Sequence, residues 1–343
     1  MHGGDIYRNR TDMDFSVNIN PLGMPAGVSE ALSEAAKMCT CYPDYSSDRL
    51  KEALGSYLKV DVSKICLGNG ASELFTAIVH AMQPGKVLLQ APSFVGYLKC
   101  IEALEHCEIQ YFVSEKETGF ALTDSFPDQM EGIDLIFLTN PNNPTGKAID
   151  EGLLEKILTK AAGQGSCVVV DECFLEFLPD CESRSFVQRT SEFPGLIVVR
   201  AFTKICAVPG VRIGYCVCER DLTERLRKHL PEWNLSVFAQ KAGEVCARAL
   251  METDYPVQTR KLVNAERHRL ATALGKVGFT VFPSDADFLL IYTEKDIYRT
   301  LLAQGILIRD CSDFAGLEKG YYRLAVRNRN ENDKLLECLR LFE

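Results

Sequence analysis

A single lysine stands between two apolar segments of this 343-residue chain. Lys204 and its neighbour Thr203 follow the apolar run 196–200, and a Pro-Gly pair at 209–210 separates them from the apolar run 213–218. Burying an ammonium group is costly, so a lysine in such a setting often has a lowered pKa and reacts as an amine nucleophile. Taken alone, such a lysine is usually one on a surface loop, and the rest of the chain must decide.

Two other apolar runs end in polar residues of a kind that can hold a ligand. Asp171 follows the run 167–170, where its carboxylate could pair with a cationic ring nitrogen; alone, it could equally cap a helix. Asn143 lies in a turn with two prolines, residues 140–146, which follows the run 135–139. Such a turn could aim a side-chain amide at a ligand, although a plain turn has similar composition.

A glycine-rich turn at 68–70 leads into Ala71 and Ser72, which begin a helical pattern. Free N–H groups at a helix N-terminus can bind a phosphate, although an ordinary strand-to-helix turn has the same composition. The segment is neither a P-loop nor a G-x-G-x-x-G motif. Arg212, eight residues after Lys204, could bind a phosphate through two hydrogen bonds.

Two arginines occur four residues apart near the end of the chain. Arg323 and Arg327 lie in an apolar segment with strand character, so we expect them on the same face of that strand. There they could bind anionic groups of a substrate, or simply form a charged face of a sheet.

The elements that must position these residues alternate along the chain. Helical patterns at 71–83, 94–105, 151–163 and 221–230 separate apolar runs that read as buried strands. This alternation predicts an α/β layer with a largely parallel sheet, in which chemistry takes place at the carboxyl ends of the strands. The predicted strands are residues 64–67, 87–90, 108–113, 135–139, 167–170, 196–200 and 213–218.

The ends of the chain have a different pattern, which predicts a second, smaller lobe. A helical stretch at 234–276 precedes short strands and further helices, while Phe15, Val17 and Ile19 alternate with polar residues and predict an edge strand. We therefore divide the chain into an N-terminal segment that packs with the small domain, a large domain and a small domain, at residues 1–35, 36–240 and 241–343.

Composition excludes several classes of protein. A net charge of −9 without a basic run argues against a nucleic-acid partner. No uninterrupted apolar stretch approaches the ~18 residues of a membrane span, and the first residues do not form a signal peptide. The fourteen cysteines are scattered without a C-x-x-C pair, which favours reduced thiols in a cytoplasmic protein over disulfides or a metal site.

Five motifs occur in a fixed order across nearly the whole chain: G-N-G-A-S-E, N-P-N-N-P-T-G, V-V-V-D-E, T-K-x-x-x-x-P-G-x-R-x-G and Y-R-L-A-V-R. Together they resemble the pyridoxal-phosphate enzymes of the aspartate-aminotransferase fold. The resemblance implies fold type I, with a large domain built on a mostly parallel seven-stranded sheet and a smaller α+β domain. Within that family, the chain is most similar to the threonine-phosphate decarboxylases of cobalamin biosynthesis and to the histidinol-phosphate aminotransferases.

Three segments favour the decarboxylases. They are the N-terminal segment with His2 and residues 14–25, Phe174 where most related aminotransferases have tyrosine, and residues 306–311. The resemblance implies decarboxylation of O-phospho-L-threonine to (R)-1-amino-2-propanol O-2-phosphate. Transfer of the amino group of histidinol phosphate to 2-oxoglutarate is the alternative; a non-catalytic protein of this fold would lack the lysine. The chain departs from the decarboxylase pattern at Asp5 and around 233–234.

The resemblance also implies roles for individual residues toward pyridoxal 5′-phosphate. Lys204 would bind the cofactor aldehyde covalently, Asp171 would hold the ring nitrogen, Asn143 would contact the ring hydroxyl and Phe94 would stack on the ring. The cofactor phosphate would be held by Ala71, Ser72, Thr203 and Arg212, and by Tyr42 reaching across a homodimer from the other subunit.

For the substrate, the resemblance implies a second set of contacts. Arg323 would bind the carboxylate, with Arg327 and Asn143 nearby. His2 and Asn20 would close over the substrate from the N-terminal segment.

Overall fold

The computed structural model describes residues 3–342. Within this range the strands are β1 Met13–Asp14, β2 Ile65–Gly68, β3 Lys86–Ala91, β4 Glu108–Val113, β5 Leu135–Thr139, β6 Cys167–Asp171, β7 Leu196–Ala201, β8 Gly214–Val217, β9 Thr280–Val281, β10 Phe288–Tyr292, β11 Ile306–Leu307, β12 Arg309–Asp310 and β13 Tyr321–Ala325. The α-helices are α1 Val28–Ala36, α2 Asp48–Leu58, α3 Ala71–Met82, α4 Gly96–Ile101, α5 Glu151–Gln164, α6 Cys181–Arg184, α7 Phe202–Ile205, α8 Arg220–Arg227, α9 Val237–Glu252, α10 Tyr255–Lys276, α11 Ile297–Ala303 and α12 Arg329–Leu339.

The largest sheet has seven strands in the order β2-β8-β7-β6-β5-β3-β4. Only β8 runs antiparallel to its neighbours, so the mostly parallel α/β sheet expected from the sequence is confirmed. Every residue of the central strands β5 and β7 is buried, which explains why these strands read as continuous apolar runs. The edge strand β4 is largely exposed.

A second, antiparallel sheet has the strand order β12-β13-β10-β9. Its core includes Phe15 from the N-terminal segment, together with Leu270 of α10 and Leu335 of α12. The same segment pairs β1 with β11, where Met13 lies opposite Ile306. Helix α1, in contrast, packs against α9. The domain boundaries drawn from the sequence stay a prediction.

The strand predicted from the alternation of Phe15, Val17 and Ile19 is wrong. The strand in this region is β1, which ends at Asp14. The Asp14 carboxylate accepts hydrogen bonds from the N–H group of Ser16 at 2.8 Å and from its hydroxyl group at 2.6 Å. Because the Ser16 N–H group is bonded within this local turn, it is not available for pairing with another strand, and β1 ends at Asp14.

The predicted helical stretch at 234–276 is two helices. Thr253 separates α9 from α10: its hydroxyl donates to the Ala249 carbonyl at 2.7 Å and accepts from the Tyr255 N–H at 3.2 Å. Pro256, in the first turn of α10, lacks an N–H group and suits a helix start. Over residues 3–342, no helix has both the length and the apolar character needed to cross a bilayer.

Candidate active site

A cavity of about 230 Å³ opens at the carboxyl ends of β5, β6 and β7, between the large sheet and the strands β12 and β13. Polar strand ends from distant parts of the chain meet there, as expected for a sheet of this kind. Nine of the predicted site residues line this cavity: Ala71, Ser72, Phe94, Asn143, Asp171, Thr203, Lys204, Arg212 and Arg323.

Asp171 is the last residue of β6, and its carboxylate is almost completely buried. Its Oδ1 accepts a hydrogen bond from the Cys173 N–H at 3.0 Å, and its Oδ2 accepts one from the Tyr97 hydroxyl at 2.7 Å. Burial raises the pKa of Asp171, and these hydrogen bonds oppose that effect. The carboxylate is therefore fixed at both oxygens while facing the cavity.

Lys204 lies in the short helix α7, directly after β7. Its backbone carbonyl accepts a hydrogen bond from the Asn20 N–H at 3.1 Å, and the Asn20 side-chain amide donates to the Ile205 carbonyl at 2.7 Å. Burial lowers the pKa of the Lys204 ammonium group, and the Arg323 guanidinium lowers it further. Both effects favour the neutral amine, which is the nucleophilic form.

The glycine-rich turn after β2 brings helix α3 close to Arg212. Gly70 has a φ of 79°, and a Cβ built there would lie 2.4 Å from an Arg212 guanidinium nitrogen, so the arginine packs directly against the glycine backbone. Arg212 itself has a φ of 61°, a left-handed conformation that is unfavourable for a residue with a side chain. The first turn of α3, with Ser72, and the Arg212 guanidinium line the same part of the cavity, an arrangement that can bind an anion.

The turn after β5 is held in place by its own amide side chains. Asn140 accepts from the Ile149 N–H at 2.9 Å, and Asn142 donates to the Pro92 carbonyl at 2.8 Å. These contacts fix the backbone on either side of Asn143, whose side-chain oxygen accepts a hydrogen bond from Arg323. The turn therefore directs Asn143 into the cavity, as its composition suggested.

Phe94 forms part of the opposite wall. A Cβ on Gly96 would lie 2.2 Å from the Phe94 ring, so the ring packs directly over that glycine. The ring also contacts Tyr97 edge to face, with centroids 5.4 Å apart. Contacts with Gly96 and Tyr97 thus fix the Phe94 ring as an aromatic surface of the cavity wall.

The cavity contains a second buried arginine, Arg309 on β12, which the sequence analysis did not select. Its guanidinium donates to the Asp313 carboxylate at 2.8 Å and packs over the ring of Phe314, 4.9 Å from the centroid. The available signal was its position within segment 306–311, one of the segments that resemble the decarboxylases. Gly3, Ser16, Val17 and Asn18 of the N-terminal segment also line the cavity.

Among residues 3–342, three predicted site residues do not line this cavity: Asn20, Arg327 and Tyr42. The Asn20 side chain points away from the cavity and donates to Ile205, Tyr255 and Thr259. Through its bond to Ile205 it holds the backbone next to Lys204 in place. Arg327 lies beyond the end of β13, and its guanidinium contacts Glu331 at 3.0 Å.

The third of these residues is Tyr42, which is 81% exposed; its ring lies 5.0 Å from that of Trp233, on the surface of the molecule. His2 lies outside the described residues, so its predicted contact with a substrate stays a prediction.

The sequence is similar to proteins of known family over almost its full length. The family described as aminotransferase class I and II matches residues 10–339. A threonine-phosphate decarboxylase from Salmonella typhimurium is 34% identical, over 99% of this chain and 95% of that protein. A histidinol-phosphate aminotransferase from Archaeoglobus fulgidus is 33% identical, over 97% of this chain and 94% of that protein.

A solved structure gives the same result for the fold. The histidinol-phosphate aminotransferase from Clostridium acetobutylicum superimposes with a TM-score of 0.88 and 30% identity, covering 96% of this chain and 98% of that one.

Proposed function

This chain belongs to the class I and II aminotransferase family, and we propose that it is a pyridoxal-phosphate-dependent decarboxylase of O-phospho-L-threonine. The product would be (R)-1-amino-2-propanol O-2-phosphate, which supplies the aminopropanol arm of cobalamin. The proposal is supported by the similarity to the threonine-phosphate decarboxylase from Salmonella typhimurium and by the charges in the cavity.

The residues of the cavity fit pyridoxal phosphate. Arg212 and the first turn of α3 form an anion site, where they would hold the cofactor phosphate. Lys204 presents a buried amine with a lowered pKa, and Asp171 presents a buried carboxylate for the ring nitrogen. When bound, the cofactor supplies an electron sink for the electron pair that remains after CO₂ leaves.

The observation that carries the choice of substrate is the pair of buried guanidinium groups. Arg309 and Arg323 both line the cavity, in addition to Arg212 at the cofactor phosphate. O-Phospho-L-threonine has two anionic groups, so Arg323 would bind its carboxylate and Arg309 its phosphate. Arginine binds both groups through paired, charge-assisted hydrogen bonds.

The wall beside Lys204 is apolar. Phe174 lines the cavity, packs edge to face on Phe288 with centroids 5.1 Å apart, and places its ring centroid 5.9 Å from the lysine Nζ. A phenylalanine here cannot donate a hydrogen bond, whereas the tyrosine found in most related aminotransferases can. Phe174 therefore excludes water from this side of the cavity and donates no proton.

The test uses purified protein with pyridoxal phosphate and O-phospho-L-threonine. We expect release of CO₂ in step with formation of the amino alcohol phosphate. A parallel reaction with histidinol phosphate and 2-oxoglutarate measures glutamate. Cofactor-loaded protein that forms glutamate and releases no CO₂ would refute the decarboxylase proposal and establish the transaminase.

That second candidate has specific support, since the Clostridium acetobutylicum structure is named a histidinol-phosphate aminotransferase. The two reactions use nearly the same residues. They would differ in which bond to the substrate Cα breaks, the bond to the carboxylate in the decarboxylase or the bond to hydrogen in the transaminase. The two buried arginines match the carboxylate and the phosphate that O-phospho-L-threonine has in one molecule. Histidinol phosphate has only the phosphate, so in the transaminase the other arginine would bind a carboxylate of 2-oxoglutarate.

We also propose that the enzyme is a homodimer in the cytoplasm. Tyr42 is exposed in the single chain, together with Tyr45 and Trp233, whose ring centroids lie 5.6 Å apart. In a dimer, Tyr42 would reach the cofactor phosphate of the other subunit. All fourteen cysteines are free thiols, which supports a reducing compartment.

A further inference from the structure

The Asp171 carboxylate is the end of a chain of hydroxyl groups that crosses three strand ends. Ser93 follows β3, Thr139 ends β5, and Tyr97 belongs to α4. The Ser93 and Thr139 hydroxyl oxygens are 3.0 Å apart, those of Thr139 and Tyr97 are 2.8 Å apart, and the Tyr97 hydroxyl lies 2.7 Å from Asp171 Oδ2.

The direction of the protons in this chain follows from the acceptor at its end. An ionised carboxylate only accepts, so Tyr97 must donate its single hydroxyl proton to Asp171. Thr139 must then donate to Tyr97, and Ser93 must donate to Thr139. All three dipoles therefore point toward Asp171, and hydrogen bonds aligned in this way strengthen one another.

Tyr97 is also held rigidly. It is 1% exposed, and its ring stacks on Phe137 with centroids 4.8 Å apart and meets Phe75 edge to face at 4.9 Å. The third ring it contacts is Phe94, which lines the cavity. One side chain thus touches both the carboxylate and the aromatic wall of the cavity.

We propose that Tyr97 is a positioning residue, which acts through Asp171 by keeping its carboxylate ionised and oriented toward the cofactor ring, with Thr139 and Ser93 as the outer members of the chain. This inference rests on the role proposed above for Asp171, but not on the identity of the substrate.

The surroundings of Asp171 explain why it needs such a donor. Burial raises its pKa, and the hydrogen bonds from Cys173 and Tyr97 lower it. Tyr97 remains protonated, because burial and the neighbouring carboxylate raise its own pKa well above the usual value. The other titratable groups around Asp171 and its neighbour Cys173 are Glu172, Glu176 and Lys204.

The test is a titration of the cofactor-free protein with pyridoxal phosphate, followed by visible absorbance over a range of pH. For Tyr97→Phe we expect about a tenfold loss of cofactor affinity, since a hydrogen bond to a charged group is lost. The pH below which the affinity for pyridoxal phosphate declines should also be about one pH unit higher than in the wild type. Without the hydrogen bond from Tyr97, the Asp171 carboxylate takes up its proton at higher pH. A packing defect would lower the affinity equally at every pH.

Two further variants complete the experiment. Tyr322→Phe is the matched control: it removes the hydroxyl of another buried tyrosine, which packs in the core of the small sheet, and should leave the titration unchanged. Thr139→Val keeps Tyr97 but shortens the chain, so it should give a smaller shift in the same direction. If Tyr97→Phe does not fold, Thr139→Val decides alone.

An unchanged pH dependence in the variants that fold would overturn the inference. Failure of the wild-type protein to bind pyridoxal phosphate would instead refute the proposed function. The two results are therefore distinguishable.

Discussion

Arg309 and Arg323 lie directly opposite each other on the antiparallel strands β12 and β13, and both are buried beside the same cavity. They have separate partners: Arg309 donates to the Asp313 carboxylate, and Arg323 donates to the Ser16 carbonyl at 2.6 Å. Burial lowers the pKa of Arg323 to about 10, and the charge of Arg309 acts in the same direction. Like charges at opposed positions repel, so this pair favours an anionic ligand.

The first prediction concerns Arg309. Replacing it with glutamine should raise KM for O-phospho-L-threonine by about tenfold to a hundredfold, since charge-assisted hydrogen bonds to the substrate phosphate are lost. The effect on kcat should be smaller, because Arg309 would contact a group remote from the bond that breaks. Steady-state kinetics measures both constants.

The control for this variant is Arg329→Gln, because the Arg329 side chain is 70% exposed. It should leave both constants unchanged. A KM for Arg309→Gln equal to that of the wild type would assign the substrate phosphate to other residues.

The second prediction concerns covalent attachment of the cofactor. Lys204→Ala should lose activity by at least about a thousandfold, because the amine that carries the cofactor is gone. After borohydride treatment, mass spectrometry of the wild type should find the label on Lys204. Because burial lowers the pKa of this amine, the reaction should proceed at a lower pH than for an ordinary lysine.

Lys319→Ala is the control for labelling, since this lysine is exposed. Its label on Lys204 should equal that of the wild type. Covalent label on Lys319, or on any lysine other than Lys204, would contradict the assignment.

The third prediction is a pH dependence of stability in the cofactor-free protein. Asp287 is fully buried, and neither carboxylate oxygen has a hydrogen-bond partner within residues 3–342. Burial raises its pKa to about 7, although Lys204, Arg323 and Arg267 oppose this effect. Between about pH 4 and 7 the folded state therefore holds a proton that the unfolded state has released.

The free energy of unfolding should consequently fall as the pH rises through this window, and Asp287 should contribute no further change above it. The slope from this one group is at most about 1.4 kcal/mol per pH unit. Asp287→Asn should remove that contribution, so its stability relative to the wild type should rise from pH 5 to pH 8 in urea unfolding. The exposed Asp128→Asn should show no such trend; a constant difference for Asp287→Asn would contradict the prediction.

The fourth prediction tests the homodimer. Tyr42→Ala and Lys204→Ala should each be strongly impaired, but hybrid dimers of the two variants contain one complete site. Random mixing should make about half of the two-fold symmetric dimers hybrids, and each hybrid has one active site of two. The mixture should therefore recover about a quarter of the wild-type activity. Mixing after mild dissociation, followed by an activity assay, measures this recovery. No recovery would mean that Tyr42 does not complete a site in the other subunit.

The sequence alone predicted the large sheet well, because buried parallel strands are continuous apolar runs that end in polar residues. For that reason the sequence could place Asp171 at the end of β6 and Lys204 directly after β7. Strand β1 could not be predicted, because its partner Ile306–Leu307 lies almost at the other end of the chain.

The remaining differences arise from side-chain direction. The family resemblance implied a substrate contact for Asn20, but its amide points to Ile205 and helix α10, whereas Asn18 lines the cavity. Arg327 was expected to share a face with Arg323, but the strand ends at Ala325, so the alternation of faces does not extend to it. Such end points depend on tertiary contacts that local patterns do not contain.

Two segments far apart in the chain meet at the cavity: Gly3 and residues 16–18 line it together with Arg309 and Arg323, and Arg323 donates a hydrogen bond to the Ser16 carbonyl. During synthesis, the segment that holds Lys204 leaves the ribosome more than a hundred residues before Arg323 does. A nascent chain can therefore complete its large sheet and still lack the arginines that recognise the substrate. We expect competence for catalysis to arise only after the segment that contains Arg323 has been synthesised and folded.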